Sequence, residues 1–203
     1  MSGLRQSFFL LCILGCLPVV AHSVCSSVRE VDFRNRVYPL NETGFTEGTE
    51  WLHVTKGRYE APHEIPLNLS FLYFDVVDVA FGDLTGDLKE EAAVVALYGS
   101  NSGSFHLTDT YIFSCVGTKV KLIGILKQSR IEKETGMLVH ESVRHPVTIK
   151  NGSLDVKHGT GGARPSPEFI TTFRYQIVGN KLIPRGHPIS RRPPNNGIHW
   201  KAQ

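Results

Sequence analysis

Four carboxylates crowd into nine residues of this chain, Asp83-Leu84-Thr85-Gly86-Asp87-Leu88-Lys89-Glu90-Glu91, and Lys89 is the one base among them. The segment lies between two apolar runs, Val76 to Phe81 and Ala92 to Tyr98, so it reads as the loop of a β-hairpin. Repulsion among Asp83, Asp87, Glu90 and Glu91 would be relieved by a cation. Calcium takes roughly six to eight hard oxygen ligands, and loops that hold it supply them from alternating positions. Here those positions are Asp83, Thr85, Asp87, the backbone carbonyl of Lys89, and Glu91, which makes these five the candidate metal ligands. The competing reading is a solvated turn, in which Asp83 and Asp87 accept from nearby backbone N–H groups and Gly86 supplies a positive φ.

Elsewhere the chemistry is thinner. His140-Glu141 and His145 are spaced one residue too far apart for the helical zinc-protease motif, and in a strand a spacing of five puts the two imidazoles on opposite faces. His158-Gly159-Thr160-Gly161-Gly162 is rich in glycine but lacks the Lys-Ser/Thr ending of a phosphate loop. The chain contains no Gly-x-Ser-x-Gly elbow, and no cysteine sits in a recognisable nucleophile setting. Catalytic residues are therefore not assigned. A hydrolase would need Asp83 or Asp87 as acid or base, with His106 or His140 within hydrogen-bond reach. Asn41, Asn68 and Asn151 each begin an Asn-x-Ser/Thr acceptor, which matters only in a source that glycosylates.

The stretch Asp83 to Glu91 resembles the Asp-x-(Asp/Asn)-Gly-Asp-Gly-x-x-Asp calcium loop of FG-GAP and VCBS-type repeats. It departs from that loop at Thr85, where a second acid or Asn is usual, and at Leu88, where the loop has a Gly. A hydroxyl is a poorer ligand than a carboxylate, and a leucine at positive φ carries strain. A single such hairpin, followed by the closing segment from Phe173 to Pro184, is also similar to poorly characterised bacterial exported proteins. These resemblances imply a structural calcium ion and a place outside the cytoplasm, and no activity.

The elements that must position this loop begin after a leader. Met1 to Ser23 has one base, Arg5, an apolar run from Phe8 to Val20, and small residues at Ala21 and Ser23, which together predict a secretory signal peptide. A lipoprotein reading would instead acylate Cys16 within Ile13-Leu14-Gly15-Cys16. Soluble export, periplasmic or secreted, is the preferred reading, with no transmembrane span once the leader is removed. The remaining 180 residues hold 21 bases and 19 acids, because Arg5 is the only charge lost from the totals of 22 and 19. Four of those bases, Arg185, Arg191, Arg192 and Lys201, follow Pro184, so the body is nearly neutral and points to no nucleic-acid partner. Cys25 and Cys115 remain after cleavage. Either they form a disulfide, or Cys115 is an ordinary core residue and Cys25 belongs to a free tail.

Short runs rich in Val, Ile, Phe, Tyr and Thr, punctuated by Gly, Asn and Pro, predict a mainly β fold. Strands are expected at residues 31–38, 53–59 (broken at Lys56-Gly57), 73–81, 92–98, 107–115, 119–126, 138–149, 153–157, 169–178 and 181–184. Gln128 to Gly136 suits a short helical turn. Residues 99–104 and 158–167 read as loops. Turns at Gly117, Asn151-Gly152 and Gly179-Asn180 pair successive strands in antiparallel hairpins, giving a single domain over 24–190 that is an open sheet, a partly closed barrel or a sandwich, with a flexible basic tail over 191–203. The expectation is an exported, monomeric, non-enzymatic β domain with a structural calcium loop, binding a protein or glycan partner in the envelope. The alternative is an exported hydrolase using an acidic-loop carboxylate.

Overall fold

The computed structural model describes residues 25–41, 49–60, 72–100, 106–162 and 167–193. The leader, Cys16, Asn68 and the tail after residue 193 lie outside them. The architecture is mainly β and antiparallel throughout. A hairpin of β1 (Val37–Asn41) and β2 (Thr49–His53) stands by itself. A five-stranded sheet runs β3 (Arg58–Glu60), β4 (Leu72–Gly82), β5 (Glu91–Ser100), β6 (His106–Val116) and β7 (Lys119–Leu126) in chain order. Helix α1 (Gln128–Thr135) then leads to a second sheet ordered β11 (Lys181–Pro184), β10 (Phe169–Val178), β9 (Ser153–Thr160) and β8 (Val139–Lys150), with β12 (Ile189–Arg191) also paired to β10.

Two apolar cores flank the five-stranded sheet. On one face Ala92, Val94, Ala96 and Tyr98 of β5 pack with Phe74, Tyr111 and Phe113, and the β1–β2 hairpin covers them with Tyr38, Leu40 and Leu52. Tyr38 sits edge-on to Tyr111 and Phe113 at 5.3 and 5.9 Å between ring centroids, and its hydroxyl donates to Phe33 O at 2.6 Å. Such contacts add to simple area burial. On the other face Ala93 and Val95 meet Val147, Val156, Phe173 and Tyr175 of the second sheet and Ile131 of α1. The molecule is thus three layers deep around β5. Small residues in β5 let the layers close on it.

Several expected boundaries shift. Residues 31–36 form no strand; a 3-10 turn, Val28–Glu30, and bends precede β1. Asp32 stops the expected strand by accepting from Arg34 N and from the Asn35 amide, a local alternative to ladder bonding. The glycine-rich run at 158–160 is not loop but the end of β9, pairing with β10 from Thr160↔Phe169 onward, with Pro167 against Gly159 where a Cβ would meet it at 2.7 Å. Arg191, the first residue of the expected tail, pairs with Ile170. Helix α1 ends at Gly136, whose φ of 69° takes the left-handed cap. At the β8–β9 turn Asn151 and Gly152 both have positive φ, 52° and 68°, the conformation that a two-residue hairpin requires.

Cys25 and Cys115 are joined in a disulfide, with Cα atoms 5.7 Å apart, and Cys25 N donates to Thr118 O at 2.9 Å. The N-terminal segment is therefore pinned to the β6–β7 turn. The two sheets approach closely at Gly82, the last residue of β4, where a Cβ would stand 2.8 Å from Ile149 Cγ2. Gly82→Ala should accordingly lower stability by ~1–3 kcal/mol through overpacking, a fall of several degrees in Tm by calorimetry. An unchanged Tm would show that the sheets part freely at that end.

Candidate functional site

The acidic loop bridges β4 and β5, and one carboxylate organises it. Glu91, the first residue of β5, is fully buried, with its Oε2 accepting from Leu84 N at 2.8 Å and Thr85 N at 3.1 Å. Its Oε1 accepts from the Ser114 hydroxyl at 3.0 Å on the neighbouring strand. Leu84 follows the carboxylate inward and is 2% exposed. Leaving such donors unmet inside the protein costs ~1–3 kcal/mol apiece, so Glu91 ties the loop to the core.

The remaining acids work on the loop itself. Asp83 accepts from Gly86 N at 2.6 Å and from Leu88 N at 3.0 Å, one with each oxygen. Asp87 Oδ1 accepts from Lys89 N and from the Thr85 hydroxyl, both at 3.0 Å, and these bonds, the Lys89 amide first, hold its carboxyl below the usual range. Gly86 has φ 81° and Leu88 φ 66°. Glu90 leaves the loop to meet Arg29 in a two-pronged pair at 2.5 and 2.7 Å, which lowers its pKa, and Arg29 also lies over the Phe81 ring at 4.9 Å. The arrangement is that of a turn whose carboxylates serve its own N–H groups.

The five candidate ligands do not fit calcium as a set. Asp83, Thr85, Asp87 and Lys89 belong to the outer loop, whereas Glu91 points into the core with both oxygens engaged. Bringing Glu91 to a metal would strand Leu84 N, Thr85 N and Ser114. Among the described residues no group of three or more His, Cys, Asp or Glu side chains is placed to hold a metal ion.

The hydrolase pairing is not assembled either. His106 pairs with Gly99 at the far end of β6, seven residues from Phe113, which pairs with Ala92 beside the loop. At strand rise that separation is roughly 23 Å. His106 Nδ1 is hydrogen-bonded to the Tyr73 hydroxyl instead. His140 Nε2 lies 3.0 Å from Gly161 O, near the start of β8, while the β8 residue touching Gly82 is Ile149.

A shallow groove of about 530 Å³ opens beside the loop. Thr85, Asp87 and Lys89 line one side, residues 114–117 at the β6–β7 turn another, and Ile177, Gly179 and Asn180 at the β10–β11 turn the third. Leu88, between the lining residues Asp87 and Lys89, is 93% exposed. Sequence reasoning placed the loop but missed the groove, because its walls come from hairpins about 30 and 90 residues farther along the chain.

Two buried titratable groups lie elsewhere and serve the fold. Asp109 accepts from Gln128 N at 3.1 Å, supplying the cap that Lys127 does not give α1, and from the Tyr98 hydroxyl at 3.0 Å. Burial nevertheless pushes its carboxyl up to about 6. His158 is buried against Phe173 and close to His140 O, and desolvation pushes its pKa down to about 4.

No family model, curated protein or solved structure matches the chain.

Glu91→Ala should cost ~2–4 kcal/mol, since it orphans three donors, and neither wild type nor variant should gain stability from calcium over chelator in thermal melts. Titration gives a second expectation. The Asp109 contribution to stability is full below about pH 4 and lost as pH rises through about 6; that of His158 is full above about 6.5 and lost as pH falls through about 4. Each is worth ~3 kcal/mol, so within this window they oppose one another. Relative to wild type, Asp109→Asn should therefore lose about that much between pH 6.5 and 4. Parallel pH profiles would contradict the assignment.

Proposed function

We propose that the chain is an exported, non-enzymatic β domain that acts by binding a partner in the envelope or outside the cell, through the groove end where the acidic loop stands. The observation that carries this reading is Leu88. A large aliphatic residue is held at φ 66°, a conformation that costs an L-residue ~1–2 kcal/mol, and it is then left 93% exposed to water. Neither circumstance serves packing. A glycine would relieve the first and remove the second, so the side chain is explained by something that covers it.

The rest of the site suits that role. Donors inside the loop are met by Asp83, Asp87 and Glu91, which supports a tip presented on an ordered base. Support for export comes from the leader-like N-terminus and from the Cys25–Cys115 disulfide, a bond that persists in oxidising compartments.

Leu88→Gly tests the reading. If Leu88 is kept for contact at the expense of stability, the variant should unfold about 1 kcal/mol harder, a rise of roughly 2–4 °C in Tm. A variant that melts lower than wild type would make Leu88 a structural residue and remove the support for a binding tip.

A further inference from the structure

Each of the four hairpins that meet at the groove end carries an exposed lysine. Lys89 belongs to the acidic loop, Lys119 follows the β6–β7 turn, Lys150 precedes the β8–β9 turn, and Lys181 follows the β10–β11 turn. Three of the same hairpins expose an aliphatic tip: Leu88 at 93%, Val116 at 46% and Val178 at 53%. These loops are neighbours in space. The groove is walled by the first, second and fourth, and the contact of Gly82 with Ile149 brings the third alongside.

Charge at this end is lopsided. Lys121, also exposed, adds a fifth lysine, while Glu90 is occupied by Arg29 and Glu91 is buried, which leaves Asp83 and Asp87 as the opposing loop carboxylates. Because the body of the chain is nearly neutral in total, such a cluster is a local feature and not a consequence of composition. Asp83 and Asp87 are in addition turned toward N–H groups of their own loop.

We infer that this end docks on an anionic phospholipid surface, with Leu88, Val116 and Val178 entering the headgroup boundary and the lysines ringing them at the phosphates. The inference rests on the binding reading above and names its partner class. Residue types select lipid over other polyanions. Bases stack on aromatic or guanidinium planes; the four hairpin loops contain no aromatic residue, and the two guanidinium groups beside them are engaged, Arg29 with Glu90 and Arg185 with Ser153 Oγ at 2.6 Å. Unlike a soluble polyanion, a membrane offers aliphatic tips an apolar phase to enter, and lysine can lie along that boundary while its ammonium stays in water. A few lysines beside short aliphatics give reversible attachment, since each cation near an anionic leaflet strengthens binding about fivefold.

The test is vesicle flotation of the full chain, purified as exported from an expression host. Vesicles of phosphatidylglycerol with phosphatidylcholine are compared with phosphatidylcholine alone, and dextran sulfate and a short single-stranded DNA serve as soluble polyanions. The chain should float with the anionic vesicles only. Lys119→Ala combined with Lys181→Ala should weaken that partition about thirtyfold. Leu88→Ser combined with Val178→Ser should weaken it about tenfold or more while leaving Tm and dextran sulfate binding in place. Equal flotation with both vesicles, or none, overturns the inference, and so does tighter binding to the DNA than to the vesicles. Loss of dextran sulfate binding in the lysine variant without any vesicle binding would sink the lipid inference and keep this end as a binding site. Failure to bind any probe, together with a Leu88→Gly variant that melts low, would sink both.

Discussion

Everything in this fold is arranged around a strand with no solvent face. Ala92 through Ala96 of β5 are all fully buried, odd and even residues alike, because one side of the strand meets the β1–β2 hairpin and the other meets the second sheet and α1. Three layers can close only if the middle one is thin at its centre, and the alanines at 92, 93 and 96 supply that thinness. Close packing of this kind leaves little room for local adjustment. It also explains the position of Glu91. A buried carboxylate at the mouth of such a strand must satisfy its acceptor capacity from whatever donors are near, and the nearest are the first amides of the loop that leads into β5 and the hydroxyl of Ser114.

From that one constraint the character of the acidic loop follows. Its base is fastened to a strand that is fully buried from Ala92 to Ala96, its middle is closed by Asp83 and Asp87 on their own amides, and its flank is held by Arg29 on Glu90. What is left over is the tip. Leu88 and Lys89 are the residues the loop holds out, and the turns on either side of the groove hold out residues of the same two kinds. The disulfide contributes at this end as well, since Cys25 donates to Thr118 O in the β6–β7 turn and so steadies a second wall of the groove.

Much of the fold was legible from residue types. Strand runs such as 169–178 and 181–184 match β10 and β11 residue for residue, the Asn151-Gly152 turn has the backbone its sequence demands, and the helical turn at 128–136 is α1 with its glycine cap. Leu88, which stands where the calcium-loop pattern has a Gly, takes a positive φ of 66°. The reading failed where local pattern is overruled at a distance. Residues 158–160 look like loop because of their glycine, yet β10 and Pro167 need that bare backbone close by, and the strand runs on to Thr160. The alternating acids of the loop suggested ligands pointing one way, but Glu91 belongs to a strand start and its face is set by Ser114, twenty-three residues away. Nor does spacing along the chain reveal that Lys89, Lys119, Lys150 and Lys181 share one end, although each stands at a hairpin turn and a hairpin-by-hairpin reading of the sequence would have aligned them.

The claim at the centre is that the loop is ordered by its own carboxylates, Glu91 foremost, and not by a bound cation. Native-state hydrogen exchange at the Leu84 and Thr85 amides addresses it most directly, because both are loop amides whose acceptor is the buried Glu91. Exchange as slow as that of the β5 amides, and identical in chelator and in millimolar calcium, is the predicted result. Fast exchange in chelator that slows only when calcium is added would contradict the account.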